Sequence, residues 1–169
     1  MVTLILRDTY IRLQEEIKSL AKLRTETAAK IQEAASLGDL KENYEYKAAR
    51  EAMGLLVNKK ESLDSYEPFR VIEYNDIESE EAGFGNKVTV LEEGKDKPEE
   101  YYILGPIESE LEIYPLVVTY HTPFAQAMMG KKVNEYFILE IEGKEIKFTI
   151  TDIEKITSDT PQSPKKDIL

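Results

Sequence analysis

Ser36-Leu37-Gly38-Asp39-Leu40-Lys41-Glu42-Asn43-Tyr44-Glu45-Tyr46-Lys47-Ala48-Ala49-Arg50-Glu51 is the stretch on which the fold turns. Upstream of it, apolar residues recur at Tyr10, Leu13, Ile17, Leu20, Ala28, Ile31 and Ala35. That spacing of three and four marks an amphipathic helix with a narrow seam, interrupted by Arg24. The pattern stops at Gly38, a residue suited to a helix end. Asp39 then has the side chain of an N-cap, and Glu42, three residues on, completes capping-box spacing. A second helical pattern follows, with Ala49, Ala52, Leu56, Leu63 and Tyr66 on one face and Gly54 weakening it by up to about 1 kcal/mol. Two helices joined by so short a turn lie antiparallel. With roughly 30 residues per arm at about 1.5 Å each, the hairpin projects on the order of 45 Å.

Working outward, the composition changes at Tyr66-Glu67-Pro68. All seven prolines lie at position 68 or later. Residues 1–67 carry 11 basic and 12 acidic side chains, whereas residues 68–169 carry 11 and 21, so nearly all of the net charge of −11 belongs to the second half. Proline lacks an amide donor and ends the helix there. The expected organisation is a hairpin over 1–74, a second domain over 75–156 and a flexible tail over 157–169, which holds two prolines.

Composition excludes several classes. At 41 % hydrophobic with ten Tyr and five Phe, the chain is too apolar for disorder. No apolar run approaches the roughly 20 residues of a spanning helix, and Met1–Leu6 is too short for a signal-peptide core. A soluble, cytoplasmic protein without membrane association is expected. The absence of cysteine removes disulfide scaffolds, thiolate metal sites and cysteine nucleophiles, and the lone His121 cannot build a histidine-rich metal cluster.

Strand-like runs fill the second half at Lys87–Leu91, Glu100–Leu104, Glu135–Ile141 and Lys144–Ile150, the last two joined through a turn at Glu142-Gly143-Lys144. Between them, His121-Thr122-Pro123 opens a short helix that Gly130 stops. Antiparallel strands with one short helix give an α+β domain. The stretch Gly105–Tyr120, with Pro106 and Pro115, reads as irregular. By pattern alone the hairpin is either a dimerisation coiled coil or a probe whose tip enters a cavity.

The string Gly38-Asp39-Leu40-Lys41-Glu42-Asn43, then Glu45-Tyr46, Ala48-Ala49 and Arg50-Glu51, resembles the bacterial Gre transcript cleavage factors. His121-Thr122-Pro123-Phe124-Ala125-Gln126-Ala127-Met128-Met129-Gly130-Lys131 resembles the same family's C-terminal signature. The resemblance covers residues 1–156. It implies an FKBP-like second domain that docks on RNA polymerase, and a hairpin that passes through the secondary channel to the active site. There such factors stimulate the polymerase's own hydrolysis of backtracked nascent RNA and so rescue arrested complexes; they are not independent enzymes. The family's two tip acids match Asp39 and Glu42. Two-metal phosphodiester hydrolysis needs a second Mg²⁺ near the first and a positioned water, and magnesium takes a few carboxylates with several waters. Asp39 and Glu42 are therefore expected to hold that metal jointly with the polymerase, with no cofactor bound to this chain alone.

Supporting tip residues are Glu45, which tunes orientation, and Lys41 and Asn43, which match the motif without an assigned chemistry. Family members commonly carry Arg and His where this chain has Ala35 and Leu37. The basic patch that holds the nascent RNA 3′ end is thus thinner, leaving Arg24, Lys30, Lys47 and Arg50 with Lys41; such thinning resembles the GreA branch. Arg24 belongs either to that patch or to the seam, with its stem laid along it. Phe124, Met128 and Met129 are either a polymerase-docking surface or core. The acidic second half opposes phosphate contacts, so no strong independent DNA binding is expected, only association inherited through polymerase, and the protein is expected to be a monomer. Two other functions are open: an inhibitory Gre-like homologue entering the same channel without promoting cleavage, and an FKBP-type prolyl isomerase, which needs an aromatic-lined pocket that a fold alone does not supply.

Overall fold

The computed structural model describes residues 1–38 and 40–165. A strand, β1 (Thr3–Leu6), runs directly into a long helix, α1 (Arg7–Leu37). After two residues α2 (Leu40–Asp64) begins, and it is followed by β2 (Phe69–Ile72). β1 and β2 pair in parallel, from Thr3 with Phe69 to Leu6 with Ile72. Parallel neighbours need a crossover, and the crossover here is the whole hairpin. The described chain accordingly divides into two compact units: Ile11–Glu67, and Met1–Tyr10 together with residues 68–165. The first strand and helical turn thus group with the second half, whereas the sequence suggested a single cut at residue 74.

Within the hairpin, Leu13 and Leu20 of α1 and Leu56 and Leu63 of α2 are fully buried. The seam of α1 then continues through Thr27 and Ala34, both buried. Ala28 and Ala35, expected at the seam, are exposed, as is Arg24. Two helices packed along their length keep a seven-residue repeat, and Leu13, Leu20, Thr27 and Ala34 follow it. The sequence expectation followed the most apolar side chain, Ala28 over Thr27, and slipped by one position. On α2, Ala49, Leu56 and Leu63 have the same period and lie where expected.

The second unit carries a 3₁₀ turn (Tyr74–Asp76), β3 (Asn86–Glu92), β4 (Glu99–Leu104), α3 (Pro106–Glu110), β5 (Val117–Thr119), α4 (Pro123–Met128), β6 (Tyr136–Ile141) and β7 (Lys144–Lys155). Its five-stranded sheet has the order β5-β4-β3-β7-β6. Three pairings are antiparallel, and β4–β5 is parallel. The class is α+β, a helix pair followed by a curled mixed sheet with short helices. The stretch 105–120 is not irregular, because it holds α3 and β5. Pro106 stands at the start of α3, where a missing amide proton costs nothing.

Both faces of β4 are covered, which explains its unbroken run Tyr101-Tyr-Ile-Leu104. Tyr101 and Ile103 join Val88, Val90, Met128, Phe137, Phe148 and Ile150. Tyr102 and Leu104 join Leu6, Ile77, Ile113, Tyr114 and Ile156 on the other side. The segment expected as a loose tail is tied to the second unit, where Ser163 N–H donates to the Ile113 carbonyl at 2.8 Å.

Candidate functional site

At the distal end of the hairpin, α1 stops at Leu37 and Gly38 takes φ +73°, the left-handed conformation that ends helices at glycine. α2 starts at Leu40. Asp39 lies outside the described residues. Lys41 and Glu42 fall in the first turn of α2 by their backbone, but their side chains also lie outside what is described. Asn43 and Glu45 are exposed, as are Lys47 and Arg50 on α2 and Arg24 and Lys30 on α1. Arg24 therefore stands off the seam, on the solvent side of its helix. A groove of about 460 Å³ runs between the helices, lined by Leu23, Thr27, Ala34, Ala48, Ala49 and Ala52, and Lys30 and Glu45 stand on it. Lys30 and Glu45 are thus brought to one place from different helices, while Arg24 does not line this groove.

In the second unit, sequence reasoning passed over Glu108. Its carboxylate is fully buried, accepting the Leu6 N–H at 3.1 Å and the Gly105 N–H at 2.9 Å, with a further hydrogen bond from the Thr9 side chain. Burial pushes its pKa up, and the donors only partly oppose that. One side chain thereby caps α3 and ties down β1. Gly105 has to be glycine: a Cβ there would stand 2.4 Å from the Leu4 carbonyl oxygen. The available signal was Gly105-Pro106-Ile107-Glu108, an N-cap with Pro first and Glu third in the helix.

Comparison with known proteins bears on both units. Residues 3–65 match the family described as transcription elongation factor, N-terminal (GreA/GreB), and residues 77–155 match transcription elongation factor GreA/GreB, C-terminal. The chain belongs to the GreA/GreB family. It is 34 % identical over 145 residues to the transcription elongation factor GreA of Borreliella burgdorferi, covering 85 % of this chain and 16 % of that longer protein. It is 30 % identical over 146 residues to GreA of Acetivibrio thermocellus, covering 85 % and 91 %. Among solved structures it is similar to GreA factor homolog 1 of Thermus thermophilus, with a TM-score of 0.44 and 17 % identity over 91 % of this chain and 99 % of that one.

In this GreA/GreB chain, α4 is built as its sequence suggests. Thr122 Oγ1 accepts the Ala125 N–H at 3.2 Å, Pro123 opens the helix, and Gly130 closes it at φ +87°. The docking candidates on it separate. Met128 is fully buried and cannot meet a partner. Phe124 is half-buried in an aromatic cluster, 4.9 Å from Tyr101 and 5.2 Å from Phe148 between ring centres. Met129 is half-buried at the helix end. None of the described helices is long and apolar enough to cross a membrane.

Proposed function

We propose that this protein binds bacterial RNA polymerase, enters its secondary channel hairpin first, and stimulates hydrolysis of backtracked nascent RNA. The observation that carries this reading is the order Asp39-Leu40-Lys41-Glu42 at the turn between two long packed helices, in a chain of the GreA/GreB family. Gly38 stops α1 and α2 starts two residues later, and in the sequence the motif spans that turn. Asp39 and Glu42 stand three residues apart in the sequence, and two carboxylates so close along the chain can share one ion. Oxygen donors of this kind suit Mg²⁺, which takes a few carboxylates and keeps its waters. When bound in the polymerase site, the ion polarises the phosphodiester and lowers the pKa of water. Asp39 and Glu42 would hold it there, and Glu45 would orient them from the same end of α2. Lys30, Lys47, Arg50 and Arg24, all exposed, supply cations along the hairpin for the extruded RNA backbone, with Lys41 as the motif's own cation. The second unit docks outside the channel, using the part of α4 that Met128 does not bury.

The test is incubation with a stalled elongation complex followed by resolution of RNA lengths. Shortened RNA bearing a new, extendable 3′ end is the expected product. Binding with slowed synthesis and no shortening would instead identify an inhibitory homologue that enters the same channel.

A further inference from the structure

Tyr44 is 77 % exposed, more than any other described aromatic side chain. Seven of the other nine tyrosines have a ring, hydrogen-bond or cation partner among the described residues, and the two that do not, Tyr46 and Tyr66, are half-buried. Tyr102 stacks on Tyr114 at 5.0 Å, Tyr74 donates to Asp8 at 2.7 Å, and even Tyr136 on the sheet surface carries Lys147 over its ring at 4.4 Å. Among the described residues, Tyr44 has no ring contact, hydrogen bond or cation of this kind. It stands on the fifth residue of α2, with exposed Lys47 three residues on and therefore on the same face.

An open aromatic face beside a cation is the arrangement with which proteins hold single-stranded nucleic acid, because every base has a face to stack and the cation meets the backbone. From this juxtaposition of ring and cation we infer that Tyr44 stacks on an unpaired base of the RNA extruded 3′ of the bond that is cut, holding that strand on the tip. The inference rests on the proposed function, since only a backtracked complex places unpaired RNA beside the tip. The contact is sequence-tolerant, made by the ring and not by its hydroxyl.

The test uses the full-length protein and an elongation complex backtracked by several nucleotides, with 2-aminopurine near the RNA 3′ end. Addition of the protein should quench its fluorescence, and Tyr44→Ala should lose the quenching while helicity is unchanged. The same variant should raise the concentration for half-maximal cleavage about 10-fold, the order expected for one lost stacked base, with the rate at saturation nearly unaltered. Tyr44→Phe and Tyr44→Trp should restore both. Unchanged quenching in Tyr44→Ala would overturn the inference. So would an equal loss of affinity for a complex without extruded RNA, which would make the channel wall the partner, or failure of Tyr44→Phe to restore, which would point to the hydroxyl. Asp39→Ala is the separating arm: if cleavage survives it, the proposed function fails, whatever Tyr44 does to the fluorescence.

Discussion

A carboxylate three residues before another across a helix start has an ordinary use, as N-cap and capping-box partner, and that use alone would leave the protein indifferent to small changes in it. The proposed metal role is more demanding. Asp39→Ala or Glu42→Ala should each lower transcript cleavage by at least about 10-fold, because a ligand is removed, with polymerase affinity nearly unchanged; gel-resolved cleavage and a binding competition measure the two. Capping loss alone costs about 1 kcal/mol, which would soften the helix end without abolishing cleavage. Glu108 carries a different expectation. Its folded pKa lies above the ordinary carboxylate value because burial outweighs its donors, so the folded state takes up its proton more readily than the unfolded chain. The stability it adds is full below the unfolded pKa and is lost as pH rises through the folded one. Glu154 has the opposite sign, since its hydrogen bond with Lys87 lowers its pKa. Glu108→Gln, which sets an amide N–H₂ against a backbone N–H, should be less stable throughout, and its deficit relative to the native protein should widen toward acid in melting curves taken across pH. The tip acids stand out in the sequence because their types and spacing are unusual together, but Asp39 and the Glu42 side chain lie outside the described residues. For Glu108 the capping spacing after Gly105-Pro106 could be read, but nothing in that spacing says that a distant strand closes over the carboxylate.

At the scale of elements, the hairpin has two differently filled halves. Leu13, Leu20, Leu56 and Leu63 close one end, while Thr27, Ala34, Ala49 and Ala52 leave a groove in the other. Filling that seam should stabilise it. Thr27→Leu should add about 1 kcal/mol by burying more apolar area, read as a higher midpoint for loss of helix signal on heating, whereas Ala28→Leu, on an exposed position, should leave the midpoint within error. Equal effects would contradict the seven-residue seam. Both helices and four of the strands could be read from the sequence, because their apolar periods are long enough to outvote local noise. β1, β2 and β5 could not. Each is three or four residues long, each is held by a parallel partner remote in sequence or beyond a helix, and so short a segment carries no measurable alternation. The seam slipped for a related reason: hydrophobicity favours Ala28, and only the geometry of a partner helix favours Thr27.

At the scale of the whole molecule, the second unit is discontinuous, since Ile5 and Leu6 are buried in it from the far side of a 57-residue excursion, Ile11–Glu67. A fragment of residues 75–169 lacks both parallel strands and leaves Glu108 without its Leu6 donor, so it should unfold without a sharp transition. A chain in which a short Gly/Ser linker joins Tyr10 to Pro68 should fold cooperatively and compete with the full protein for polymerase, yet stimulate no cleavage. Calorimetry of the two fragments, with competition by the second, checks both statements. The discontinuity also sets a timetable for biosynthesis. All residues of the hairpin have been made by residue 67, but Leu6 has no acceptor until Glu108 leaves the ribosome. At about 5–20 residues per second that interval lasts seconds. Throughout it the nascent protein carries a finished helical hairpin and an unfinished second unit, with Ile5 and Leu6 open to any chaperone that reaches them before their own domain does.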